Sequence, residues 1–295
     1  MSKIIGNYRL NKKFREGGHS ILFHATDLTT NDSVIAKVVP LKSRRAQEIF
    51  NSEKLVFEKV KDLNFVYTLS AIDIVTESNY GCFILPKLKG DLLDEIAKQS
   101  SCKFDEKLAK HYFKRVLLAL ENFHQNDIAH LDIKPENVLV DYDGNIYLAD
   151  FGCAYHDEDE SRHYKGITGT DIYSAPEVRS GQFYDPFAAD IWSLGILLFV
   201  LLTGNWPFHD QNPDYFVANT FAIINDKFGP LLEDLLKQLL QKDPLYRPSV
   251  SKILKHPWFS SDRLEIKNRK YHLVKSANPL QRLVNKVRRA LHKHF

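Results

Sequence analysis

The hydrophobic period of this chain changes once, near residue 90, and that change limits the folds open to it. Before it, apolar residues alternate with polar ones. Residues 21–28 and 33–41 have the two-residue period and β-branched content of strands, with a turn signal at Thr29, Thr30, Asn31 and Asp32 between them. Residues 65–75 and 81–88 read as further strands. One helical stretch, 44–61, interrupts them, with Ile49, Leu55, Val56 and Val60 on one side and charges on the other. From Asp91 onward the apolar spacing becomes i, i+3, i+4, in residues 91–99, 106–125, 191–202 and 231–241. A strand-rich segment followed by a helical one predicts an α+β chain in two lobes. The small β-rich N-lobe is expected at about 8–85 and the larger helical C-lobe at about 91–259.

Composition narrows the class further. With 44% hydrophobic and 12% aromatic residues, the chain can bury a large core and does not read as disordered. Cys82, Cys102 and Cys153 are odd in number and far apart, which argues against a disulfide framework or zinc site and for a reducing compartment. The first ten residues carry no long apolar run of the secretory type. The apolar run 191–202 is shorter than the roughly 20 residues a membrane span needs, so it reads as a buried core helix. An intracellular chain is expected, cytoplasmic or nuclear, neither secreted nor transmembrane.

Charge is unevenly placed. After Glu265 there is no acidic residue, and nine of the 40 Lys and Arg lie there, leaving 31 basic against 37 acidic side chains in the body. Asn278 and Pro279 have the form of an N-cap and first helical position. Leu280, Leu283, Val284, Val287 and Leu291 then share one face of a candidate amphipathic helix, 279–295, within a basic tail, 260–295. Such a helix suits a calmodulin-like partner, a membrane surface or docking on the chain itself. A helix packed on the C-lobe or a nucleolar-type tail is equally open, and nucleic acid is not an expected partner.

The chemistry concentrates in His130, Leu131, Asp132, Ile133, Lys134, Pro135, Glu136 and Asn137, followed eighteen residues after Asp132 by Asp150, Phe151 and Gly152. This pairing at this spacing resembles the catalytic and metal-binding loops of the eukaryotic protein kinase family. Further matches are Gly169 to Glu177, Asp190 to Gly195, Asp243 to Pro248, and His256 to Phe259. They extend the resemblance in unbroken order over residues 8–259 and imply a bilobal protein-kinase-like fold. The His-Leu-Asp spelling is also similar to that of the calmodulin-dependent and myosin light-chain kinase group, where basic tails autoinhibit.

The resemblance implies roles residue by residue. Asp132 would accept the proton of the attacking hydroxyl, Lys134 would contact the γ-phosphate, and Thr170 would contact both. Asn137 and Asp150 would hold Mg²⁺ or Mn²⁺ through oxygen ligands, with ATP as co-substrate. Lys37 would hold the α- and β-phosphates, paired with Glu53; Glu48 and Glu58 remain alternative partners. Phe14, Gly17, Gly18, Leu22, Ala36 and Leu85 would line the ATP site. Here the chain departs from the family's glycine-rich loop, because Arg15 and Ser20 stand at two glycine positions. The expected consequence is a stiffer lid and weaker ATP binding. Lys134 and Thr170 imply Ser/Thr substrates, and Glu136 implies a bias toward basic residues near the phosphosite.

Leu131 occupies the place of an arginine that in regulated kinases pairs with an activation-loop phosphate. Activity is therefore expected to be independent of that modification, and alanine at Ser161 and Thr168 should leave peptide phosphorylation intact. Loss of most activity in that double variant would refute the point. The run 157–160 (Asp, Glu, Asp, Glu) reads either as a solvated loop or as a fixed acidic substitute. Against an active kinase stand two other readings: a pseudokinase scaffold, suggested by Arg15, Ser20 and Leu131, and a kinase-fold enzyme acting on a small molecule.

Overall fold

A computed structural model describes residues 3–17, 20–156, 163–166, 168–207, 224 and 227–260. Gly18, the acidic run 157–160 and the candidate helix 279–295 lie outside the described residues. The N-lobe is an antiparallel sheet of β1 (Ile4–Ile5), β2 (Tyr8–Glu16), β3 (Ile21–Asp27), β4 (Ser33–Pro40), β5 (Asp73–Thr76) and β6 (Tyr80–Pro86), in the order β1-β2-β3-β4-β6-β5. Alternation on β4 separates two faces. Val34, Ala36 and Val38 join Ile5, Tyr8, Leu10, Ala25 and Ile84 in a small core on one side. Lys37 necessarily points to the other.

Helix α1 (Arg44–Asp62) begins where the Ser43 side chain accepts from the Ala46 N–H. Its buried face is Phe50, Glu53, Val56, Phe57 and Val60. The expected face was thus half right: Ile49 and Leu55 are only partly buried, because the aromatic pair Phe50 and Phe57 takes the core position. Both rings lie 4.9 Å from that of Phe83 on β6. A Cβ on Gly81 would sit 2.2 Å from the Phe50 ring, so glycine there lets the helix approach the sheet.

The C-lobe holds β7 (Gly90–Asp91), α2 (Leu92–Lys98), α3 (Glu106–Gln125), β8 (Ile128–Ala129), β9 (Val138–Val140), β10 (Ile146–Leu148), β11 (Tyr155–His156), α4 (Pro176–Arg179), α5 (Pro186–Thr203), α6 (Pro230–Leu239), α7 (Val250–Leu254) and α8 (Pro257–Ser260). Helix α5 is apolar all round, the pattern of a central core helix. At 18 residues it is longer than the apolar run suggested and would be long enough to cross a membrane, but 94% of it is buried inside the protein.

Residues 65–71 are not the strand their alternation suggested. They leave the N-lobe sheet and bond to the C-lobe: the Leu69 N–H donates to Leu148 O and the Leu148 N–H donates to Tyr67 O, each at 2.8 Å. This stitch, and the continuity of the main core from Phe50, Phe57 and Phe83 to Phe123 and Phe151, ties α1 to the C-lobe.

Candidate active site

The turn between β8 and β9 is bent by Leu131, whose φ of 60° is unfavourable for a branched residue. Asp190, at 0% exposure in α5, holds the bend. Its carboxylate accepts from the His130 and Leu131 N–H groups, each at 2.8 Å, and pairs with the His124 ring at 3.0 Å. His130 is fully buried, and burial pushes its pKa down, which favours the neutral ring. The Asp132 N–H lies 3.3 Å from His130 Nδ1, so Nε2 carries the proton toward Ala149 O at 3.1 Å.

That scaffold presents Asp132 to three donors. Lys134 Nζ lies 2.7 Å from Oδ2, Asn137 Nδ2 lies 2.8 Å from the same oxygen, and Thr170 Oγ1 donates to Oδ1 at 2.7 Å. Lys134 Nζ also reaches Thr170 Oγ1 at 2.6 Å. Burial opposes the Lys134 charge, but the Asp132 carboxylate lifts its pKa. Thr170 arrives from a distant segment because Gly169, at φ 79°, brings the backbone against Leu131. A Cβ there would stand 2.2 Å from Leu131 O.

A second cluster faces the first. Lys37 Nζ bonds Glu53 Oε1 at 2.6 Å and Asp150 Oδ1 at 2.7 Å. The alternative partners are engaged elsewhere, Glu48 with Arg44 and Glu58 with Lys54. Burial opposes the Lys37 charge, but Asp150 and Glu53 outweigh it and hold the ammonium protonated. The Lys37 charge in turn holds the Asp150 carboxyl well below the usual carboxylate range, while burial pushes Glu53 upward. Asp150 keeps a φ of 63° and a half-exposed carboxylate. The next residue, Phe151, is fully buried. Its ring meets those of Phe57 at 4.8 Å, Phe123 at 5.4 Å and His130 at 5.9 Å, so α1 and both loops share one aromatic column.

The donor set suits a hard divalent cation. Among the described residues only one Asp150 carboxylate oxygen has a hydrogen-bond partner, and Asn137 spends its amide N–H groups on Asp132 O and Oδ2, which leaves its amide oxygen as a ligand. The Ala149 N–H donates to Asn137 O at 2.8 Å, which fixes the two loops side by side.

The structure brings together Lys37, Glu53, Asp132, Lys134, Asn137, Asp150 and Thr170. Leu22 pairs with Lys37, and Leu85 with Ile35, so both lie on the lysine's face of the sheet. Phe14 is exposed and stacks on His24 at 4.4 Å, and the Gly17 N–H closes the loop onto Ser20 O at 2.8 Å. Ala36 is a correction. It is 0% exposed in the opposite core, and the residue on the lysine's face is Ile35. The two-residue period applied from Lys37 would have found this. Asp190 was also missed as a site residue, although a lone carboxylate at the head of the most apolar run is a signal of its own.

Leu131 is buried in the main core. The described residues on either side of the acidic run are held by backbone pairing and tyrosine contacts. β11 pairs with β8, Tyr155 packs on Tyr164 at 4.7 Å, and Tyr164 exchanges backbone hydrogen bonds with Tyr184 at 2.9 and 3.0 Å. Tyr184 Oη donates to Gly166 O at 3.0 Å.

Residues 8–259 match the family described as "Protein kinase domain". Among curated proteins, the chain is 32% identical over 267 residues to SNF1-related protein kinase catalytic subunit alpha KIN12 of Arabidopsis thaliana, covering 88% of this chain and 52% of that one. It is 31% identical to CBL-interacting serine/threonine-protein kinase 15 of the same plant (88% and 62%), and 28% identical to SNF1-like protein kinase ssp2 of Schizosaccharomyces pombe (87% and 44%). The chain thus spans about half the length of the relatives it matches.

Proposed function

The chain belongs to the protein kinase family, and from that premise we propose that it transfers the γ-phosphoryl group of ATP to Ser or Thr hydroxyls of proteins. The observation that carries this reading is Lys37, one buried ammonium bonded both to Glu53 of α1 and to Asp150 of the C-lobe, beside the Asp132 cluster.

In this reading Lys37 holds the non-transferred phosphates and Lys134 neutralises charge on the moving group. Asp132 orients the substrate hydroxyl and takes its proton at the carboxylate. Thr170 fixes the carboxylate's rotation and keeps Lys134 beside it. Asn137 and Asp150 would hold Mg²⁺, which supplies charge neutralisation on the phosphates when bound. The departures Arg15 and Ser20 alter the lid, not these side chains.

Glu136 is the candidate reader of a basic residue near the phosphosite. It is 7% exposed, its pKa is pushed up by burial, and Oε2 has no hydrogen-bond partner among the described residues. A buried carboxylate oxygen left unpaired is costly, and a basic side chain from a bound peptide would relieve the cost.

The test is ATP turnover on a serine peptide flanked by Arg or Lys, against the same peptide with those residues changed to alanine. Phosphoserine should form on the basic peptide, faster than on the neutral one, and chelation by EDTA should stop it. ATP binding with no transfer to any peptide would instead favour a scaffold.

A further inference from the structure

The strand register sets the cleft face of the N-lobe sheet in rows. Lys37 stands between Leu22 of β3 and Phe83 of β6, and one step along, Ile35 stands between His24 and Leu85. Lys37 and Phe83 are buried, whereas Leu22, His24, Ile35 and Leu85 remain partly exposed. The open part of this face is therefore the row centred on Ile35, and the Phe14 ring stacked on His24 closes its outer edge. From the C-lobe, Leu139 is partly exposed between the buried Val138 and Val140 and pairs with Asp91, just past the crossing between lobes. Ile35 is thus the partly exposed side chain next to Lys37 on β4's open face.

Ile35 is branched at Cβ, so its χ1 is stiff and it does not fold out of the way. The family spelling of this strand is Val-Ala-Ile-Lys, with a methyl group two residues before the lysine. Here the middle pair is reversed, Val34-Ile35-Ala36-Lys37. The reversal puts the larger side chain on the open face and the methyl group in the closed core, where Ala36 is 0% exposed. The lysine keeps its place.

We propose that Ile35, backed by Leu85, sets the thickness of the nucleotide slot and thereby limits affinity for ATP. The proposal rests on the kinase reading above and adds to it a residue that tunes binding rather than transfer. Overfilled slots resist repacking, so trimming the intruding side chain improves fit.

Displacement of a fluorescent ATP analogue from the full chain tests this directly. Ile35→Ala should lower the Kd for ATP about five- to tenfold, the smaller end of what overpacking costs, and Ile35→Val should fall between. In the peptide assay the gain should appear in KM for ATP. Unchanged or weaker ATP binding by Ile35→Ala, with a melting temperature like that of the wild type, overturns the proposal. Should that variant unfold early, the graded shift in Ile35→Val decides in its place, and no shift there overturns the proposal too. Failure of every form, wild type included, to bind ATP overturns the nucleotide reading itself.

Discussion

Asparagine at position 132 should reduce phosphoryl transfer by roughly 10²- to 10⁴-fold, the usual worth of a positioned general base, while ATP binding stays close to that of the wild type. The substitution keeps the side chain's shape. Oδ2 receives two donors, Lys134 and Asn137, and an amide oxygen can take both. The amide NH₂ would then replace Oδ1 opposite Thr170, whose hydroxyl can turn to accept. The fold should therefore survive, because Asp190 and His130, not the Asp132 carboxylate, hold the strained bend. What disappears is the charge and basicity at the point where a hydroxyl proton must go. Lys37 and its partners are untouched, so nucleotide binding reports separately. The check is a single-turnover measurement beside a direct ATP titration. A loss in transfer smaller than tenfold would remove Asp132 from the chemistry and strengthen the pseudokinase reading.

The sequence carried the polar half of this site further than the apolar half. Lys37, Glu53, Asp132, Lys134, Asn137 and Asp150 were legible because their spacing is fixed by the chemistry they serve, and the structure converges all six. Thr170 is placed by Gly169, whose close approach to Leu131 O depends on a contact across 38 residues that no local pattern encodes. Ala36 was assigned to the ATP site by the family resemblance, although alternation from Lys37 favours Ile35. Residues 65–71 alternate like a strand, but their partner is β10 of the other lobe, so pairing and not propensity decides their path. The helix α5 boundaries escaped because Pro186 and Gly204, its start and stop signals, lie outside the apolar run.

Arg247→Ala should cost about 3–5 kcal/mol of folding stability, the range for breaking a buried ion pair from one side. The Arg247 side chain is fully buried, and all five of its guanidinium N–H groups are engaged. It grips both oxygens of Glu177, with Nη2 at 2.9 Å from Oε2, and donates to Ala188 O and Gln241 O at 2.9 Å and to Lys242 O at 3.2 Å. Its plane also lies 5.1 Å from the Trp192 ring. Truncation leaves a largely buried carboxylate without its partner and takes the side-chain donor from the Gln241 and Lys242 carbonyls, which is worse than losing the pair as a whole. Lysine would not rescue it, because a point charge cannot match the fork. Arg247→Met with Glu177→Leu should therefore be less destabilised than Arg247→Ala alone. A loss of this size is a large part of a typical domain's stability. Glu177 ends the segment that carries Gly169 and Thr170, so activity should fall at temperatures where the fold still holds. Urea unfolding of the two variants, with peptide phosphorylation at low temperature, checks both statements. A cost below about 1 kcal/mol, the scale of an exposed pair, would mean that Glu177 finds water or another donor and that the segment is anchored elsewhere.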